Sequence, residues 1–288
     1  MNQSVVNGSK ENRYLDTFPV SLAPLTLLDV SPINRVIIAA EVGYSHIGLR
    51  LIPATQTGPC FTLATNPQLI KQIAYHLQQT GIQVLDIEVL RLKSETRIIN
   101  FLPILEAGAQ LGAKEALVTG NDSDNNRLAD NFSLLCELAA PFNLAVNIEP
   151  TPWTHIPDIK SAAALLKKTN QLNQGLVIDP LHFDRSTSCL SDLKSIPKRY
   201  FRYMQLCDGT KVKPNNMEDI IYQARNHRLS PGHGGINLTG LLRAIPRMPI
   251  SIECYNSQLA QYTSPMQRAK MYFEDTQRLL SSLFEKID

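Results

Sequence analysis

Short runs of apolar and β-branched residues alternate with longer amphipathic segments along this chain, and the alternation occurs eight times. The short runs predict strands, placed at 22–28, 46–52, 83–90, 115–120, 144–149, 176–179, 202–207 and 249–254. The longer segments predict helices, placed at 31–43, 67–80, 99–112, 127–141, 159–169, 190–198, 217–228 and 264–286. Eight successive strand–helix units favour a closed (β/α)8 TIM barrel.

Local signals at the predicted helix boundaries agree with this pattern. Ser31-Pro32 and Asn66-Pro67 each place a capping residue before a proline suited to the first helical turn, and Gly43, Gly81 and Gly112 follow predicted helices. An open, doubly wound sheet is the alternative architecture. It usually carries a glycine-rich phosphate-binding turn after its first strand, and this sequence has none there.

Length and composition predict a single domain whose cysteines are reduced. The chain has 288 residues, of which 43% are hydrophobic and 19% charged, so we expect a single barrel domain at 19–288 behind a flexible polar tail at 1–18. Five widely spaced cysteines without a C-x-x-C pair indicate free thiols, most of them filling the core.

Charge and hydropathy patterning limits the partners. The net charge of +2 without long Lys/Arg runs argues against nucleic acid. The polar N-terminus has no signal-peptide pattern, and no apolar run is long enough for a membrane span, so we expect a cytoplasmic protein. A small sugar-like molecule is the expected partner, and homo-oligomerisation is left open.

Each of the last four predicted strands carries a side chain with an oxygen donor at or near its carboxyl end. These side chains are Glu149, Asp179, Gln205 and Glu253. The carboxyl ends of barrel strands meet at one mouth, so these side chains should converge there. Three carboxylates and an amide would repel one another without a cation, and this all-oxygen set suits Mn²⁺ or Mg²⁺ better than Zn²⁺.

Strand alternation supports the same site. Glu149 shares its predicted inward parity with Asn147, whereas Ile148 faces outward. On the second and third strands, Arg50 and Glu88 also fall near the mouth as candidate substrate-binding residues. An ordinary salt bridge or helix cap is an equally good interpretation of these two residues.

The motifs of the C-terminal half resemble those of a known superfamily. They are Ile148-Glu149-Pro150, Ile178-Asp179-Pro-Leu-His182-Phe183, Gln205-Leu-Cys-Asp208, Arg228-Leu-Ser-Pro231-Gly232-His233-Gly234 and Ile252-Glu253. Together they resemble the xylose isomerase-like barrels of sugar phosphate isomerases and epimerases. The resemblance implies that Glu149, Asp179, Gln205 and Glu253 bind metal. Many members carry His where this chain has Gln205, while the hydroxypyruvate isomerase branch carries Gln.

The resemblance also implies roles for neighbouring residues. His182 corresponds to a histidine that contacts substrate or orients a ligand, with a packed core histidine as the alternative. Arg228 resembles an arginine of the family that holds the substrate. The alternative interpretation is that Arg228 is a solvated charge at the end of a helix. Asp208 is a candidate for a contact with substrate, with metal-bound water or with loop backbone. Trp153 is a candidate for an apolar side chain in the pocket wall. His233 stands where relatives often carry an acidic residue.

Together, these expectations predict a metal-dependent enzyme. A cation chelated by a carbonyl and its adjacent hydroxyl stabilises an enediolate, and Glu149 and Glu253 would remove and return the proton, as in an isomerase or epimerase. A dehydratase (lyase) of a polyol or cyclic hydroxy acid uses the same logic but expels a hydroxyl group, and a non-catalytic sugar-binding barrel is the third candidate. The related endonuclease IV fold uses a His-rich zinc site, and six histidines in this chain disfavour that activity.

Overall fold

The computed structural model describes residues 19–52 and 66–284, and it confirms the predicted barrel. Eight parallel strands close in sequence order, with β1 pairing with β8. The strands are β1 Val20–Leu22, β2 His46–Arg50, β3 Gln83–Leu92, β4 Glu115–Gly120, β5 Ala145–Ile148, β6 Gln174–Ile178, β7 Phe201–Leu206 and β8 Ile250–Ile252. The predicted tail at 1–18 lies outside the described residues.

Helices surround the barrel. They are α1 Pro32–Val42, α2 Pro67–Thr80, α3 Leu102–Gln110, α4 Asn125–Ala139, α5 Ile159–Thr169, α6 Pro180–Arg185, α7 Leu190–Leu193, α8 Met217–Asn226, α9 Leu238–Ala244, α10 Leu259–Tyr262 and α11 Pro265–Phe284. The bounds of α2 and α5 match the predicted ones. The predicted helix at 190–198 was wrong beyond α7, and the short helices α6, α9 and α10 were not predicted.

The first predicted strand was misplaced. Instead of a strand at 22–28, the chain forms the three-residue β1 and then a 3-10 helix, Pro24–Leu27. Pro24 has no N–H to give to a strand ladder, so the pairing ends before it. The 3-10 turn still closes the barrel, because the Thr26 hydroxyl donates to the Ile252 carbonyl at 2.7 Å and accepts from the Cys254 N–H at 2.9 Å.

The predicted helix caps are present. The side chains of Ser31 and Asn66 accept hydrogen bonds from the first turns of α1 and α2. Gly43 and Gly81 end these helices in the left-handed conformation, which glycine adopts without steric cost. These caps set where each helix ends, and therefore where the next strand begins.

The barrel interior has an apolar plug and a polar layer. The plug consists of Leu85, Val89, Leu117, Val177 and Tyr203. Towards the amino ends of the strands, Arg202 donates to Glu115 through Nε and Nη2, and Glu115 also accepts from Asn147 at 2.8 Å. The larger core lies between the strands and the helices. The plug closes the centre of the barrel, so open space is confined to the mouths.

Two further expectations concern the described residues as a whole. Cys136, Cys207 and Cys254 are buried free thiols, as predicted, whereas Cys189 is exposed, and Cys60 lies outside the described residues. No helix within 19–52 and 66–284 is both long enough and apolar enough to cross a membrane.

Candidate active site and metal centre

Glu149, Asp179 and His182 meet at the carboxyl ends of β5 and β6. Asp179 caps α6, accepting from the N–H groups of Leu181 at 2.7 Å and His182 at 3.1 Å. This turn brings the His182 ring back over the site, with Nε2 3.6 Å from Asp179 Oδ2 and 3.7 Å from Glu149 Oε1. One donor atom from each residue lies within 4.8 Å of the others, so these three side chains form a candidate metal centre.

Gln205 and Glu253 lie on β7 and at the end of β8, the two strands that follow β6 around the barrel. The Gln205 amide donates to Glu253 Oε1 at 3.1 Å, and both side chains are buried. Gln205 Oε1 has no hydrogen-bond partner, although it is shielded from solvent. A buried carbonyl oxygen without a donor is costly. Gln205 therefore has a free oxygen that could bind a cation.

Arg228 joins the two sides of the site. Its Nη1 lies 2.7 Å from Asp179 Oδ2 and its Nη2 lies 3.1 Å from Glu253 Oε2, while Nε donates to the Ala224 carbonyl at 2.7 Å. The residue is 2% exposed, so the alternative of a solvated charge at a helix end was wrong. Its guanidinium fixes the two carboxylates relative to each other.

The charge of this site is unbalanced. When all three are ionised, Glu149, Asp179 and Glu253 contribute three negative charges against one positive charge from Arg228. Burial, followed by the charges of Glu253 and Asp179, raises the pKa of Glu149 well above its usual value. Burial likewise raises the pKa of Glu253 to about 8, although Arg228 opposes this. The surplus of two negative charges is the charge that a divalent cation neutralises.

The pKa values of Asp179 and His182 are both lowered, but for different reasons. Burial favours the neutral form of Asp179, but the Arg228 guanidinium and hydrogen bonds outweigh it and lower the pKa of this carboxyl. Burial lowers the pKa of His182 to about 4. At neutral pH the imidazole is therefore uncharged and can bind a metal ion through nitrogen. Two carboxylates, an imidazole and a free amide oxygen match the ligands of a divalent cation.

The remaining predicted residues occupy three different environments. Glu88 accepts two hydrogen bonds from Arg50, with Nη2 at 2.5 Å, which is the salt bridge that the alternative interpretation predicted. Among the described residues, the Asp208 carboxylate accepts hydrogen bonds from backbone N–H groups alone, so it organises the loop that contains His233. Trp153 packs edge-on against His182, with ring centroids 5.0 Å apart.

A cavity of about 760 Å³ opens above the centre, and Glu149, His182 and Trp153 line it. Three arginines that the sequence analysis did not identify also line this cavity, namely Arg91, Arg97 and Arg225. Arg91 lies beyond the predicted end of the third strand at residue 90, whereas β3 continues to Leu92 with a register shift against β4 between Ile87 and Leu90. Arg225 lies on α8 and carries no sequence signal for this cavity.

Comparison with known proteins places these features in context. The profile of the family described as xylose isomerase-like TIM barrel matches residues 36–281. The 3-dehydroshikimate dehydratase of Pseudomonas aeruginosa is 28% identical over 134 residues, which is 45% of this chain but only 20% of that protein.

Two solved structures share the fold over nearly the whole chain. The IOLI protein, solved with a bound zinc atom, superposes with a TM-score of 0.77 at 19% identity, covering 93% of this chain and 99% of that one. The D-allulose 3-epimerase from Methylomonas sp. superposes with a TM-score of 0.66 at 12% identity, covering 91% of this chain and 98% of that one.

Proposed function

Because this chain belongs to the xylose isomerase-like TIM barrel family, we propose that it is a divalent-metal-dependent isomerase or epimerase of a small sugar or hydroxy-carbonyl compound. The observation that carries the proposal is the surplus negative charge at the barrel mouth, where Glu149 and Asp179 meet beside His182 and Arg228 links Asp179 to Glu253. A buried surplus of this kind is stable only with protons or with a cation.

Glu149, Asp179, Gln205 and Glu253 are the proposed metal ligands, and His182 is close enough to join them. Mn²⁺ or Mg²⁺ is the proposed ion because oxygen donors predominate, and the single imidazole favours Mn²⁺ of the two. The zinc in the structurally similar IOLI protein makes Zn²⁺ a necessary comparison in any binding measurement. The bound cation supplies polarisation of a substrate carbonyl.

The two glutamates are the proposed acid/base pair. One carboxylate takes the proton from the carbon between the carbonyl and hydroxyl groups, and the electron pair moves to the carbonyl oxygen to give an enediolate. For epimerisation the other glutamate, in its acid form, returns a proton to the opposite face of the same carbon, and the carbonyl re-forms at its original position. For isomerisation the proton goes to the former carbonyl carbon, while the enediolate's hydroxyl proton moves to the former carbonyl oxygen and the new carbonyl forms at the neighbouring carbon. Arg228 holds Glu253 in place through its 3.1 Å contact, and His182 and Trp153 wall the cavity beside Glu149.

A dehydratase is the second candidate, and the partial match to 3-dehydroshikimate dehydratase favours it. The first proton transfer is the same, but the electron pair then expels a neighbouring hydroxyl, which leaves as water with a proton from the second glutamate. The match covers a fifth of that protein. Its substrate is therefore a compound to test on this chain, and it is not assigned as this chain's substrate.

Solvent exchange distinguishes these activities. The Mn²⁺-loaded protein is incubated in deuterated water with D-allulose, other keto sugars and their phosphates, hydroxypyruvate and 3-dehydroshikimate, and products are followed by NMR. Deuterium at the carbon beside the carbonyl, together with an isomer, supports the main proposal, and loss of water supports the dehydratase. Glu149→Gln and Glu253→Gln should abolish either reaction. Full Mn²⁺ occupancy without exchange or product across the panel would overturn both.

A further inference from the structure

Three arginines line the cavity above the candidate metal centre. Arg91 stands at the end of β3, Arg97 in the following loop and Arg225 in the last turn of α8. We call these three residues the arginine wall. Glu149 and His182 line the same cavity, so the wall and the proposed reaction centre face a common space.

The arginine wall has no anionic partner among the described residues. Its guanidinium groups make no ion pair with any carboxylate there, whereas the nearby Lys93 lies 3.8 Å from Glu95 and Arg50 is bound to Glu88. Arg91 is half-buried, and burial, followed by the charge of Arg50, lowers its pKa; Arg225 acts in the same direction, whereas the charges of Glu149 and Glu88 oppose the shift. Arg97 and Arg225 are exposed, so all three guanidinium groups are accessible to an anion that enters the cavity.

We propose that the arginine wall binds a carboxylate or phosphate group of the substrate, while the hydroxy-carbonyl end lies at Glu149 and His182. The proposal extends the proposed function, because it assigns the substrate to the anionic compounds within the broader sugar-like class. A fork of N–H donors on each guanidinium suits both anions. The 760 Å³ cavity has room for a molecule that reaches from the centre to the wall.

Neutral polar groups complete the expected binding surface. Thr96, Asn100, Thr119 and Asn121 also line the cavity and offer hydroxyl and amide groups to substrate hydroxyls. Thr119 already donates to Asn121 at 2.8 Å, which orients that amide. The cavity therefore offers carboxylate, neutral polar and cationic groups to one bound molecule.

The test measures binding and does not require turnover. Inorganic phosphate, D-glycerate and the neutral polyol erythritol are titrated into the full-length, chelator-treated protein by calorimetry, so that anions cannot bind through a metal ion. The variants are Arg91→Gln and Arg225→Gln. The matched control is Arg243→Gln, which removes an exposed arginine of α9 outside the cavity. Mn²⁺ binding is measured separately for every variant.

We expect at least one anion to bind the wild-type protein and each cavity variant to weaken it about tenfold, as for loss of one charged hydrogen-bond donor. Arg243→Gln should leave the affinity unchanged, and erythritol binding should not depend on the arginines. Tighter binding of phosphate or of glycerate identifies the anion. The proposal is overturned if neither anion binds, if the cavity variants bind as wild type does, or if Arg243→Gln weakens binding equally. Failure of Mn²⁺ binding alone would contradict the proposed function and leave this subsite standing.

Discussion

Replacing Arg228 by methionine should strongly destabilise the metal-free protein. The guanidinium is 2% exposed and neutralises part of the charge of Asp179 at 2.7 Å and Glu253 at 3.1 Å, so its loss leaves both carboxylates buried without a cation. Removing one partner of a buried ion pair costs about 3–5 kcal/mol. For a chain of this size each kcal/mol lowers the melting temperature by roughly 2–4 °C, which gives a fall of about 6–20 °C.

Chemical and thermal denaturation with and without Mn²⁺ provide the assay. Added Mn²⁺ should restore part of the lost free energy of unfolding, because a cation bound at Glu149 and Asp179 replaces some of the missing positive charge. Arg225→Met is the matched control, since that side chain makes no ion pair in the described part of the chain and should cost less than about 1 kcal/mol. A variant as stable as wild type, or a loss that Mn²⁺ leaves unchanged, would refute the electrostatic argument.

Three further predictions concern the same end of the barrel. Saturating Mn²⁺ should raise the free energy of unfolding by about 2–3 kcal/mol at a hundredfold excess over Kd, and Glu149→Gln should abolish that gain in a thermal-shift titration. Asp208→Ala should cost about 2–4 kcal/mol and speed hydrogen exchange at Gly232 and Gly234, whose N–H groups donate to this carboxylate; unchanged exchange rates would contradict its structural role. Because the pKa of buried His182 is about 4, below its value in an unfolded chain, the unfolded state takes up the proton first as the pH falls. The contribution of His182 to the stability of the metal-free protein should therefore be lost between about pH 6.5 and 4, by on the order of 3 kcal/mol. Glu149 and Glu253, whose pKa values burial raises, contribute in the opposite direction over this range, so the test is the difference between the denaturation curves of wild type and His182→Gln; a difference that does not change with pH would contradict the argument.

The barrel was predictable because its signals are local and repeated. Alternation of strand and helix patterns, together with caps such as Ser31 and Asn66, determines where most elements lie. The three-residue β1 is too short for a periodic pattern, and α6 begins directly after β6 with Asp179 as its cap, so neither has a separable signal.

Candidate site residues could be named from the sequence where a predicted strand ends at the mouth of the barrel. Glu149, Asp179 and Glu253 directly follow their strands, Gln205 is the penultimate residue of β7, and Arg228 and His182 came from the family resemblance. Arg91 was not identified because β3 continues to Leu92, beyond its predicted end at residue 90, and the register shift that precedes it leaves no mark in the sequence. Arg225 reaches the cavity from a helix, through tertiary packing alone.

The mouth of the barrel has two parts: a base, where Arg228 is bound to Asp179 and Glu253, and a rim, formed by Arg91, Arg97 and Arg225. At the base, each carboxylate also contributes to stability, because one cationic group connects the ends of β6 and β8 to a carbonyl of α8. At the rim, Arg91, Arg97 and Arg225 support no other described side chain through an ion pair. Substitutions there can alter which molecules are accepted while the folded scaffold and its reaction chemistry stay intact. New specificities in proteins built this way should therefore arise first through changes at the rim.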